Sequence, residues 1–375
     1  MKDVSLIRKR YCALLSDNSE AEDFIKRGYF DMNSTRNKIL VSLLNNIPIV
    51  LFIVIFIIFG IMSPRFFSIR NFENIATQAS YIGIIAVGMT FVLLTGGIDL
   101  SVGANMFLSA SAAGLIINEF SLPTWVALVI AVGIGFVFGA VNAFAVVKLK
   151  ILPFIVTLSM MFIGRGITLV LTESQAVSFP ESVTGLGSLR ILNIPMPVII
   201  FAVVVFFAYV VLKRTPLGRQ IYAVGNDIEA ANKAGINSKK VLVSVYIISG
   251  VLAAVGGIVS VAQLGIVNAG FGDGDEFDAI ASAVLGGTSL FGGIGSVFPG
   301  TLIGTVLIQM IQAGLVYVQV DLYIQPLISA AIIFLAVLLD SIRKAQISKM
   351  ERRNIRTEKD NVNAINEHER NVTKS

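Results

Sequence analysis

Long apolar runs separated by short polar stretches fill the middle of the chain, while both ends are polar and mixed in charge. A membrane-crossing helix needs about 20 mainly apolar residues, and a shorter one is tolerated where protein buries it. The pattern predicts spans near residues 39–61, 78–94, 102–117, 124–147, 151–171, 196–212, 241–264, 278–290, 297–316 and 324–341. The expected fold class is an all-α polytopic membrane protein with about ten transmembrane helices, some interrupted by Gly-rich breaks. Residues 1–38 are expected to form a cytoplasmic N-terminal arm with a short helix around 19–27, residues 39–341 the transmembrane domain, and residues 342–375 a polar cytoplasmic tail.

Cations test this layout, because cytoplasmic loops collect Lys and Arg. With the N-terminus inside, Lys148 and Lys150, then Lys213, Arg214, Arg219, Lys233, Lys239 and Lys240, then Arg343, Lys344 and Lys349 all fall on one side. The opposite loops are poorer in cations, and the one with Asp273, Asp275 and Glu276 has none. The pattern therefore predicts a multi-pass protein with both termini cytoplasmic.

Composition narrows the function classes. The chain is 55% hydrophobic and 14% charged, against about 25% charged in soluble domains. A formal charge of +5 is explained by topology signals, so nucleic acid is not an expected partner. The single Cys12 excludes a disulfide framework and a cysteine metal cluster, the lone His368 lies in the polar tail, and no metal site is expected. No Lys follows any glycine run in P-loop spacing, so no ATP site is expected in this chain.

Chemistry concentrates at two breaks. The stretch L94-T-G-G-I-D-L-S-V-G103 places Asp99 between apolar runs. Gly96, Gly97 and Gly103 permit a non-helical path, and Asp99 or Ser101 can satisfy the freed backbone N–H groups. Asp99 is either the cap of a helix beginning near 102 or, with Thr95, Ser101 and Asn105, part of a substrate path or gate; Asn142 extends the same polar set. The second break, residues 286–300, contains Gly286, Gly287, Gly292 and Gly293. Residues 96–103 and 286–293 share G-G-x-x-L-x-x-G, an echo compatible with duplicated halves or with independent helix breaking. Small residues in 131–139 and 253–257 predict close helix contact.

The connection 213–240 is polar but punctuated by Ile221, Tyr222, Val224 and Ile228. A short helix is expected over about 227–234, capped by Asn226 or Asp227 and stopped by Gly235. It is either a solvated loop or a segment that docks into the groove of a cytoplasmic partner.

Three segments in order, L94-T-G-G-I-D-L-S-V-G103, A223-V-G-N-D-I-E-A-A-N-K-A-G-I236 and D278-A-I-A-S-A-V-L-G-G-T-S-L-F-G-G293, make residues 40–341 resemble the permease subunits of bacterial ATP-binding-cassette (ABC) importers for monosaccharides. The resemblance implies an importer permease in the bacterial cytoplasmic (inner) membrane that pairs with a second permease copy or close paralogue. A small polar substrate, a monosaccharide, would arrive from an extracytoplasmic substrate-binding protein. ATP and Mg would be held by a separate ABC ATPase subunit, so the chain itself carries no cofactor and is not an enzyme. It also implies that Gly225, Asn226, Glu229, Ala230, Ala231 and Gly235 form a coupling helix region touching that ATPase. Relatives of this family also move nucleosides or furanosyl signals, and an ion-driven secondary transporter with Asp99 as the coupling charge is the alternative outside it. Two features depart from the family pattern, the 38-residue arm and the acidic stretch N268-A-G-F-G-D-G-D-E-F277, which would contact the binding protein, hold a cation weakly or be solvated.

Overall fold

The computed structural model describes residues 47–120, 122–321 and 323–331, together with 334 and 338. The expected N-terminal arm with its 19–27 helix, the first part of the 39–61 span, part of the 324–341 span, the tail, Cys12 and His368 lie outside the described residues. Among the described residues the helices α1 (Ile47–Met62), α2 (Ile69–Leu94), α3 (Val102–Phe120), α4 (Thr124–Val147), α5 (Pro153–Leu171), α6 (Glu181–Ser188), α7 (Met196–Arg214), α8 (Pro216–Asn226), α9 (Ile228–Lys233), α10 (Ser238–Leu264), α11 (Asp275–Leu285) and α12 (Leu302–Tyr317) follow in order, and residues 325–331 are helical as well. A single π turn, Val297–Thr301, precedes α12. Strand pairing among the described residues is confined to two-residue ladders, β1 (Val177–Ser178) with β4 (Ile266–Val267) and β2 (Arg190–Ile191) with β3 (Ile194–Pro195).

Among the described residues six helical stretches are long and apolar enough to cross a membrane: α2, α4, α5, α7, α10 and residues 297–317. The protein is therefore all-α and multi-pass. Several boundaries depart from the hydropathy pattern for a common reason, since polar residues can extend a helix whose apolar part alone is visible in sequence. Helix α2 starts at Ile69 rather than near 78, because Ser68 caps it by accepting from the Asn71 N–H at 3.3 Å and a polar turn follows. Helix α11 spans 275–285 rather than 278–290, and residues 286–296 are non-helical.

Helices α2 and α10 occupy the centre. Helix α2 packs on α10, α11, α7 and α12, while α10 also lies against α4 and α3. The α4–α10 seam is built from small residues. Ala127, Ala131, Gly135 and Gly139 line one face of α4, and a Cβ at Gly135 would strike the Gly250 carbonyl of α10, one at Gly139 that of Tyr246. Such small residues at four-residue spacing let two backbones approach and replace hydrophobic driving force with dispersion contact. Of the small residues expected to give close contact in 131–139 and 253–257, Gly135 meets Ala254, whereas Gly256 and Gly257 pack against Ile85 of α2 and Met106 of α3. The outer faces carry Val129, Phe136, Val137, Phe144 and, on α7, Phe206 and Phe207, all exposed.

Candidate functional site

The break after α2 organises the first polar centre. Thr95 ends the helix, its hydroxyl donating to the Val92 carbonyl at 2.8 Å, and Gly96 reverses the chain at φ +75°. The turn delivers Asp99 into the interior at 1% exposure. One carboxylate oxygen accepts from the Ser101 N–H at 3.0 Å and the Ser101 hydroxyl at 2.6 Å; the other accepts from the Ser249 hydroxyl of α10 at 2.8 Å. Asn142 of α4 donates to the Ser101 hydroxyl at 2.8 Å, and Asn105 donates to the Gly250 carbonyl at 2.9 Å while accepting from Ser109 at 3.0 Å. Asp99, Ser101 and Asn105 are thus gathered into one buried network tying the break to α4 and α10, whereas Thr95 stays in its own turn. Burial of a carboxylate is tolerable because donors occupy both oxygens. Two polar atoms of the same region, the Tyr246 hydroxyl and Asn142 Oδ1, have no partner.

The second break meets the first. The Gly293 N–H donates to the Leu94 carbonyl at 2.9 Å. A Cβ at Gly292 would strike the Gly225 carbonyl and the Gly96 N–H, and one at Gly225 would strike the Leu94 carbonyl. The Tyr222 hydroxyl donates to the Gly295 carbonyl at 2.8 Å, and partial burial pushes its pKa up, so it remains a proton donor at neutral pH. Three segments far apart in sequence therefore touch backbone to backbone, and side chains at Gly225 and Gly292 would separate them. Gly286 packs against Gly300 in the same way, Gly103 packs against Gly272 and Glu276 of the acidic stretch, and Gly287 turns the chain at positive φ. The sequence echo does not extend to the backbone. Gly96 has positive φ where its counterpart Gly286 does not, and Gly287 and Gly293 have positive φ where Gly97 and Gly103 do not.

Residues 213–240 hold more structure than the expected loop with one short helix. Thr215 caps α8, accepting from the Gly218 N–H at 3.3 Å, and the buried Ile221 and Val224 fasten this helix to the core. Asp227 then caps α9, one carboxylate oxygen accepting from the N–H groups of Glu229 at 2.8 Å and Ala230 at 3.0 Å. Of the expected coupling residues, Ala231 is buried and Gly225 half-buried, whereas Asn226, Glu229, Ala230 and Gly235 are exposed, Gly235 closing the unit at φ +83°. Ile228 stands beside them 44% exposed, an apolar side chain in a polar connection.

The acidic stretch is less open than a solvated loop requires. Asp273 is exposed, but Glu276 is buried and Asp275 and Asp278 are half-buried. Arg165, inside the apolar run of α5, donates to the Gly272 carbonyl at 2.9 Å and pairs with Asp273 at 3.3 Å. Sequence reading passed over Arg165, although an arginine within a span is itself the signal of a buried polar partner. Among the described residues no group of three or more His, Cys, Asp or Glu side chains has metal-binding geometry.

An all-α bundle with six candidate membrane-crossing stretches among the described residues, built around a buried polar network, has the architecture of a multi-pass membrane protein. Residues 71–337 match the family described as branched-chain amino acid transport system, permease component, and the chain belongs to that family. It is 41% identical over 296 residues to the ribose import permease RbsC of Escherichia coli K12, covering 77% of this chain and 91% of that protein. RbsC of Bacillus subtilis 168 is 38% identical, with coverage of 79% and 92%, and the D-allose transport system permease AlsC of E. coli K12 is 38% identical, with coverage of 76% and 88%. No solved structure matches the chain significantly.

Proposed function

We propose that the chain is the membrane-crossing subunit of an ATP-driven importer that passes a monosaccharide from an extracytoplasmic binding protein into the cytoplasm. The similarity to ribose and allose permeases favours a sugar over the amino acids in the family's description. In this reading the subunit has about ten spans and both termini in the cytoplasm, pairs with a second permease, and leaves ATP and Mg to a separate ATPase. Residues 223–236 are its coupling segment, with Glu229, Ala230 and Ile228 offered to the ATPase and Ala231 anchoring the helix from behind.

The observation that carries this reading is the meeting of Gly225, Leu94 and Gly293. Closure of a docked ATPase pushes α9, and α8 conveys the push by backbone contact to both broken segments at once. A rigid relay of this kind needs no flexible side chain, and it gives the two breaks a common trigger. Asp99 and its network then move with the end of α2, as a gate element. Glu229→Lys is expected to lower substrate-stimulated ATP hydrolysis by more than about tenfold in the assembled complex, through loss of charge complementarity at the docking face, while leaving the amount of inserted permease unchanged. Full stimulation in that variant would remove α9 from the coupling interface.

A further inference from the structure

Helix α11 carries polar groups that the break-centred reading does not use. It has 11 residues, about 16 Å by helical rise, too short to cross a hydrocarbon core of about 30 Å. It packs against α2 and α12. Gly272 and Glu276, at the head of this segment, lie against Gly103 in the first turn of α3, and Gln312 of α12 reaches Asp278. The acidic face of α11 is therefore held among α2, α3, α5 and α12, not in a free loop. Arg165, about 18 Å along α5, holds the loop leading into α11 through the Phe271 and Gly272 carbonyls and Asp273.

Asp275, Asp278 and Ser282 share one face of α11, since residues three, four and seven apart align on a helix. Asp278 accepts from Gln312 Nε2 of α12 at 2.9 Å, leaving the remaining carboxylate oxygen and the amide carbonyl to accept other donors. Both aspartates are half-buried. One turn further along the face, the Ser282 hydroxyl is fully buried without a partner; Glu276 Oε2, on the adjoining side near Gly103, is buried and unpartnered as well. Buried unsatisfied polar groups are costly and mark sites whose partner is supplied by something else. Dense acceptors with an amide and a hydroxyl match a polyhydroxylated neutral solute, whose O–H groups donate to carboxylates and accept from amides.

Resting on the monosaccharide reading above, we propose that the Asp275–Asp278–Ser282 face of α11, with Gln312 of α12, binds the hydroxyl groups of the sugar in transit.

The test is uptake by the complete importer, this permease with its own ATPase and binding protein in proteoliposomes, using D-ribose, D-allose and D-galactose as probes. Asp278→Asn is expected to lower the maximal uptake rate per assembled complex by about tenfold, the scale of one charge-assisted hydrogen bond, and Asp278→Glu to restore most of it. Ser282→Ala removes an orphaned buried hydroxyl, so it should raise thermal stability while lowering uptake severalfold, a split that a packing role does not produce. Equal damage from Asp278→Asn and Asp278→Glu, or a stabilised Ser282→Ala complex that transports at the wild-type rate, overturns the proposal and leaves the monosaccharide reading standing. A wild-type complex that moves none of the three sugars overturns that reading, and this proposal with it.

Discussion

At the scale of single residues, Asp99 changes most between sequence and structure. As an isolated carboxylate in an apolar run it reads equally as a helix cap or a path residue; its three donors make it the node that ties the first break to α10. Alanine at 99 leaves the Ser101 N–H and two hydroxyls facing a void, and each unpaired buried group costs about 1–3 kcal/mol. Asparagine keeps one acceptor oxygen for Ser101, and the Ser249 hydroxyl can rotate to accept from the new amide. Asp99→Ala is therefore expected to lose at least about 2 kcal/mol more stability than Asp99→Asn, read as a larger drop in thermal unfolding temperature in detergent. Indistinguishable variants would mean that these hydrogen bonds do not hold the break. The type of residue was legible here, but Ser249 was not, because a serine 150 positions away carries no sequence mark that singles it out.

At the scale of elements, legibility follows the physics that sets each boundary. Helix α4 was predicted at 124–147 and spans those residues, because hydropathy changes sharply at both of its ends. Helix α11 departs from the apolar run at 278–290 because its limits come from Gly274 and Gly286 and its first turn is acidic, so hydropathy misses it. Helix α8 was invisible for a related reason: only its buried face is apolar, within a connection that is polar on average. The small-residue seam between α4 and α10 was visible as composition, though which helix faced which was not. That seam gives a test. A leucine at Gly250 has its Cβ directed at the Gly135 carbonyl and the Gly139 backbone, which no rotamer relieves. Gly250→Leu is expected to abolish recovery of folded permease from the membrane, while Gly133→Leu, on a face with nothing within 4 Å, leaves yield and unfolding temperature near wild type. Equal recovery of the two would show that close α4–α10 contact is dispensable.

At the scale of the whole molecule, the exposed apolar side chains have to be assigned to lipid, to a second subunit, or to both. On α4 the inward stripe of Ala127, Ala131, Gly135 and Gly139 is matched by an outward set of Trp125, Val129, Phe136 and Phe144. A soluble surface does not carry such a set, since contiguous exposed apolar area of this kind marks a membrane or protein contact. Trp125 is the second residue of the helix, is 69% exposed, and is the only tryptophan in the chain. Tryptophan at the end of a span settles at the headgroup boundary, where its ring is buried and its N–H stays hydrated. Its fluorescence is therefore an uncontaminated reporter of depth. In bilayers of brominated phospholipid, bromine near the headgroup should quench it more strongly than bromine near the chain terminus, and Trp125→Phe should abolish the signal. Stronger quenching from the chain terminus would place the start of α4 at the bilayer centre and displace the span. Absence of quenching from either position would mean that protein covers this face, which would make the outward side of α4 the seam to the second permease.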